Sequence, residues 1–108
     1  SKIAYGTIIF LHSVVGTNTI IKKFSILNIH SSLDHDSTMG NFTSLGPGAV
    51  TGGNVNISNL SRVEIGCVIA KGIKIEENCV IGANSFLNMN TVKSSVYYGS
   101  PAKLFKKN

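Results

Sequence analysis

Hydrophobic residues recur every six positions along this chain. Counting from Ile3, steps of six meet Ile9, Val15, Ile21, Leu27, Leu33, Met39, Leu45, Thr51, Ile57, Val63, Ile69, Ile75, Ile81 and Leu87. Thr51 is the lone polar residue of that series, and no insertion interrupts the count. Four residues after each of these stands a small or β-branched residue, from Thr7 and Ser13 through Ser37 and Ala49 to Cys79, Ser85 and Thr91. Three residues after, Gly, Asn, Asp or His prevails, as at Gly48, Asn54, Gly66, Gly72, Asn78, Asn84 and Asn90. Such residues tolerate positive φ, so this position predicts a turn.

A period of six is not the 3.6 of a helix, and the density of β-branched residues argues the same way. The pattern predicts a short strand followed by a tight corner, repeated. Residues two apart on a strand share a face, so the small residue and the next repeat's aliphatic both point inward. Three strands and three corners then close a triangular prism of eighteen residues per coil. Residues 3–92 make five such coils, stacked at roughly 4.8 Å with parallel ladders along each side and like residues in columns. The predicted class is all-β: a single-stranded parallel β-helix over residues 1–92, with a C-terminal tail at 93–108. In that tail, which leaves the repeat, Pro101 breaks ladder pairing and turns the chain away. Where Thr51 interrupts the aliphatic column, the same repeat carries the larger Val55, which suggests volume regained at a second inward site.

Composition narrows the class without naming it. A core built from 108 residues is small and its stability marginal. No apolar run approaches the roughly 18–20 residues that span a membrane, so neither a membrane nor a secretory leader is expected. The chain starts at Ser1 rather than Met, as a domain cut from a longer protein would. Its net charge of +5 leans on late residues such as Lys93, Lys103, Lys106 and Lys107. Those lysines suit a solvated surface or a polyphosphate partner, and no aromatic stripe interleaves them, which disfavours nucleic acid. Cys67 and Cys79, twelve apart, fit neither a zinc site nor a disulfide framework. Two free, buried thiols and a cytoplasmic setting are expected instead.

Candidate chemistry concentrates in Leu33–Val55. His35 and Asp36 are adjacent at a corner, and Gly53 follows His35 by eighteen residues, one full coil, with Lys71 a coil further on. A neutral imidazole is suited to general-base work near neutral pH. Asp36 could accept the other ring N–H, fixing the tautomer and stabilising the imidazolium. Gly53, bare of Cβ, lets its amide approach a reacting carbonyl, where one donor to an oxyanion is worth about 2.7–4 kcal/mol. A solvated surface histidine and a pair of glycines that only serve the turn remain open as the plainer readings.

The hexad, [LIV]-[GAED]-x-x-[STAV]-x, resembles the left-handed β-helix of the hexapeptide-repeat acyltransferases, over about residues 3–103. Handedness is implied by that resemblance alone. Gly99-Ser100-Pro101-Ala102-Lys103 is similar to the tail these proteins share. Within the group, His35-Asp36, Gly40, Phe42, Gly48-Ala49 and Gly53-Asn54-Val55 resemble the catalytic segment of sugar acetyltransferases that N-acetylate nucleotide-activated amino sugars or O-acetylate sialic acid. The resemblance implies His35 as base, Asp36 as its partner and the Gly53 amide at the acetyl carbonyl. It implies Ile65 and Ala83 along the acetyl-CoA site, and Ser44 where the group often has a second histidine. It also implies a homotrimer with the co-substrate between prisms, a sugar or nucleotide-sugar acceptor, and no metal. The nucleotide-sugar-binding domain that usually precedes the repeat in this group has no counterpart in these residues.

Two other readings compete with the transferase. A γ-type zinc carbonic anhydrase would use His12, His30 and His35, the first two stacked one coil apart. A non-catalytic β-solenoid would need the repeat for structure only. The expected reaction is acetyl transfer to an amino group of a nucleotide-activated sugar, with a sugar hydroxyl as the alternative; the contacts that decide between them are expected mostly outside these residues.

Overall fold

The computed structural model describes all 108 residues and contains strands and turns but no helix. Fifteen two-residue strands follow one another at six-residue intervals and fall on three sides of a prism. The first side stacks β1 (Lys2–Ile3), β4 (Ile20–Ile21), β7 (Thr38–Met39), β10 (Asn56–Ile57) and β13 (Lys74–Ile75). The second stacks β2 (Ile8–Ile9), β5 (Ile26–Leu27), β8 (Ser44–Leu45), β11 (Arg62–Val63) and β14 (Val80–Ile81). The third stacks β3 (Val14–Val15), β6 (Ser32–Leu33), β9 (Val50–Thr51), β12 (Val68–Ile69) and β15 (Phe86–Leu87). Pairing is parallel, with partners eighteen residues apart, as in Ile57↔Ile75 and Val63↔Ile81. The result is a β-solenoid of five coils.

Each corner turns on one residue in the left-handed region. Gly48, Gly66 and Gly72 occupy it without a Cβ penalty, and His12, Asn18, His30, Asp36, Asn54, Asn78 and Asn84 occupy it with polar side chains. Phe24, Phe42 and Leu60 take the same conformation (φ 56°, 55° and 65°), although their apolar side chains have no polar atom to offer the turn. The register of the hexad therefore imposes the turn on whatever residue falls there. Asn90 departs from the expected turn: its Oδ1 accepts the Lys74 amide at 2.8 Å, and Ser94 takes the left-handed conformation instead.

Inside, Leu27, Leu33, Met39, Leu45, Ile57, Ile69, Ile75, Ile81 and Leu87 form one buried column system. Each such side chain contributes about 1.5–3 kcal/mol by leaving water. The small inward residues are polar for a reason that packing alone does not give. Ser25 and Thr43 both donate to the Gly40 carbonyl (2.8 and 2.9 Å), and Ser61 donates to Glu76 O at 2.6 Å. Corner carbonyls left over by the ladders are satisfied this way, and no buried side-chain polar atom lacks a partner. Cys67 and Cys79 are free and buried, as expected, and burial pushes the Cys67 thiol up.

The ends differ from the repeat's promise. Ile3 and Ile9 sit at inward positions yet are 49% and 39% exposed, because no coil lies beneath them. At the other end the tail does not leave the sheet. Residues Ser95–Gly99 (β16) pair with β14 in parallel and extend the second side by one rung. Ala102–Lys107 (β17) then returns antiparallel to β16, with Pro101 in the turn between them. Tyr97 fills the space above the last coil, 2% exposed, and its hydroxyl accepts the Val92 amide at 3.0 Å.

Candidate functional site

The corner between β6 and β7 presents His35. Its own amide donates to Asp34 Oδ1 (2.8 Å), its carbonyl accepts the Asn54 amide from the coil above (2.8 Å), and Asp36 N donates to Thr17 O in the coil below (3.0 Å). The corner is thus tied to both neighbouring coils. Asp36 adopts φ 58°, which swings its side chain back beside its neighbour, and His35 Nδ1 lies 2.9 Å from Asp36 Oδ2. The second carboxylate oxygen accepts from Asn18 Nδ2 at 2.6 Å. Asn18 stands one coil below Asp36, so the eighteen-residue count that stacked Gly53 on His35 would also have found it.

Both members of the pair are exposed, and each shifts the other. The hydrogen bond to Asp36, then the charge of Asp34, raises the His35 pKa above its ordinary value of 6.5. The same hydrogen bond, with that from Asn18, lowers the Asp36 carboxyl below its ordinary 3.8. A carboxylate can only accept, so Nδ1 of the neutral ring carries the hydrogen and Nε2 carries the lone pair.

The other edge of the ring faces Gly53. A Cβ built on Gly53 would overlap His35 at Nε2 and Cε1, so only glycine leaves the ring its place. The Gly53 carbonyl accepts the Gly72 amide at 3.0 Å, while its own amide has no acceptor within the chain. His35, Gly53, Asn54, Lys71 and Gly72 line a cleft of about 310 Å³ along this column. His35, whose Nε2 carries the lone pair, and Gly53, whose amide has no acceptor within the chain, therefore border the same space.

The remaining residues singled out by resemblance lie elsewhere on the prism. Ile65 and Ala83 share the corner between the second and third sides, one prism side away from His35, and both are exposed. Ser44 belongs to β8, on the side opposite the His35 corner. Within one chain these three do not join His35, Asp36 and Gly53. His12 and His30 stack face to face at 5.0 Å, on the Ile65 corner rather than with His35. No group of three or more His, Cys, Asp or Glu side chains is arranged so as to hold a metal ion.

Three comparisons bear on this arrangement. The chain is 34% identical over 83 residues to the GDP-perosamine N-acetyltransferase of Escherichia coli O157:H7, a match covering 77% of this chain and 37% of the relative. It is similar to the acetyltransferase domain of PglB from Neisseria gonorrhoeae, with a TM-score of 0.95 and 25% identity over 96% of this chain and 51% of that one. A mutant GDP-perosamine N-acetyltransferase from Caulobacter crescentus, solved with CoA and GDP-perosamine, shares the fold at a TM-score of 0.83 and 19% identity, covering 99% of this chain and 58% of that one. No family model matches the chain. Repeat, prism and similarity point the same way: the chain is similar in sequence and fold to hexapeptide-repeat acyltransferases. Within them it is similar to the sugar N-acetyltransferase group, and it spans between about a third and three-fifths of the length of these relatives.

Proposed function

We propose that the chain is the acetyl-CoA-handling part of a sugar acetyltransferase acting on an amino group of a nucleotide-activated sugar. The observation that carries this reading is the His35 ring, held at Nδ1 by Asp36 and facing Gly53 at Nε2, in a chain similar to GDP-perosamine N-acetyltransferases. In the proposed step the acceptor nitrogen attacks the thioester carbonyl while His35 Nε2 takes its proton. The C–N bond forms, the electron pair moves to the carbonyl oxygen, and the Gly53 amide stabilises that oxyanion. Collapse breaks the C–S bond and releases CoA thiolate, which takes up the proton from the imidazolium. Asp36 stabilises the transient positive charge on the ring.

The co-substrate's length requires more surface than the His35 corner supplies. Ser44, Ile65 and Ala83 lie on other parts of the prism, so a homotrimer in which one copy's corner approaches another's His35 is part of the proposal. So is a cytoplasmic setting, where the thiols of Cys67 and Cys79 stay free.

Calorimetric titration with acetyl-CoA, paired with an assay of thiol release in the presence of GDP-perosamine, tests the reading. Wild type is expected to bind acetyl-CoA, and His35→Ala to keep that binding while losing roughly 10²–10⁴-fold in turnover. Full turnover in His35→Ala, or one zinc per subunit with no acetyl-CoA binding, would sink it.

A further inference from the structure

Thr51 is the one polar residue of the inward aliphatic column, and it is 2% exposed. Volume compensation by Val55 does not account for what its hydroxyl does. Thr51 Oγ1 accepts the Asp34 amide at 3.1 Å, and Asp34 is the residue that enters the His35 corner.

That bond departs from the rule of the third side. There the residue after each strand donates its amide to a backbone carbonyl one coil above: Gly16 to Leu33 O (2.8 Å), Gly52 to Ile69 O (2.8 Å) and Ala70 to Leu87 O (2.9 Å). On this side Asp34 alone donates to a side-chain oxygen; elsewhere Glu76 does so to Thr91 Oγ1 (2.9 Å), at the last coil of the first side. The ladder records the same interruption, since β6 and β9 pair only at Ser32↔Val50. Their neighbours on that side pair at both residues.

The interruption sits directly before the site. From Thr51 the connection runs to the Asp34 amide, from Asp34 Oδ1 to the His35 amide at 2.8 Å, and from His35 to Asp36 at 2.9 Å. Two residues after Thr51 on the same strand end stands Gly53, over which the ring lies. One side chain therefore fixes the entrance to the His35 corner from the same coil that carries the glycine.

We propose that Thr51 is a positioning residue for His35. Its hydroxyl takes the place of a ladder carbonyl, draws the Asp34–Asp36 corner out of strict register, and so holds the imidazole between Asp36 and Gly53. The catalytic purpose of this device rests on the reading of His35 as the base.

Thr51→Val keeps the shape and removes the acceptor, and Thr51→Ser keeps the acceptor. Thr51→Leu, the residue that the same column carries at Leu33 and Leu87, repeats the first test if the valine variant folds poorly. Ile69→Val trims the same column one coil up without touching any hydrogen bond. The readouts are Asp34 amide exchange, the His35 ring titration by NMR, and kcat against KM for acetyl-CoA. In Thr51→Val the Asp34 amide should exchange faster and the His35 midpoint should drop towards free imidazole. Its kcat should fall about ten- to a hundredfold, as for a reacting group displaced by a fraction of an ångström to an ångström. KM should stay within about twofold, because the displaced group binds no co-substrate in the ground state. Thr51→Ser should restore all of these, and Ile69→Val should change none.

A wild-type His35 titration and Asp34 exchange in Thr51→Val overturn the proposal, whatever His35 does in catalysis. The same displacement in Ile69→Val also overturns it, since packing alone would then suffice. Full activity of His35→Ala, with the titration still displaced in Thr51→Val, instead overturns the base reading and the purpose assigned to Thr51.

Discussion

At His35 the two ring nitrogens have different surroundings, and pH separates their consequences. The raised His35 pKa means that its pairing contributes stability below 6.5, which is lost as pH climbs through the raised midpoint. The depressed Asp36 carboxyl contributes stability above 3.8, which is lost as pH falls through its own lower midpoint. The ion pair is therefore complete between about pH 4 and 6.5, acid of the range in which a base can work. General-base catalysis needs the neutral ring, so kcat/KM should rise with pH through a midpoint above 6.5. Asp36→Asn removes the largest cause of the shift. Its acid limb should move to lower pH, and its plateau should fall roughly a hundredfold because the imidazolium loses its counter-charge and the amide NH2 can turn to Nδ1 and select the other tautomer. The pH–rate profiles of wild type and Asp36→Asn check both; an acid limb that stays in place separates Asp36 from the base.

Among the corner elements, Leu60 carries strain without visible return. It holds φ 65° and is 55% exposed, whereas Phe24 and Phe42 at equivalent corners stack on each other at 5.3 Å. A left-handed non-glycine residue costs about 1–2 kcal/mol, and asparagine bears that conformation more easily. Leu60→Asn should stabilise the fold by about 1 kcal/mol and raise Tm by about 4–8 °C in thermal unfolding. A lower Tm would mean that contacts of the leucine outweigh its strain. Leu60 also marks what the hexad reveals and what it conceals. The repeat makes the corner position legible, but residue type does not decide its conformation there, since Phe and Leu comply with the register. His35 over Gly53 was legible because an uninterrupted count of eighteen is rigid, and Asn18 beneath Asp36 lay within reach of the same count. Thr51 was visible as an oddity while its partner was not, because volume carries no information about hydrogen bonds. The tail hairpin escaped because the six-residue period ends before it and strands of five and six residues obey a period of two. Ser44, Ile65 and Ala83 were transferred by position along the chain, which does not say on which copy of the prism a site is completed.

Across the whole prism the three sides differ in what they turn outward. The first side presents Lys2, Thr38, Asn56 and Lys74 with one apolar residue, Ile20, among them, and the second presents Ser44 and Arg62 among its apolar residues. The third presents Val14, Val50, Val68 and Phe86, all exposed, with only Ser32 polar between them. That side runs between the His35 corner and the corner of Ile65 and Ala83, so a neighbour seated on it would lie against both halves of the proposed co-substrate groove. A small prism also has more to gain than a large domain from covering an apolar side. Val68→Asp should therefore convert the proposed trimer to monomers, because an unpaired carboxylate at such an interface costs several kcal/mol to desolvate. Acetyl-CoA affinity should fall with the trimer, while the His35–Asp36 contact, made within one chain, should leave the ring titration as in wild type. Sedimentation and calorimetry on the same samples decide between the possibilities. A wild-type monomer that binds acetyl-CoA fully would remove the need for a neighbour. A trimer that survives Val68→Asp would move the interface to another side, and with it the partner of His35.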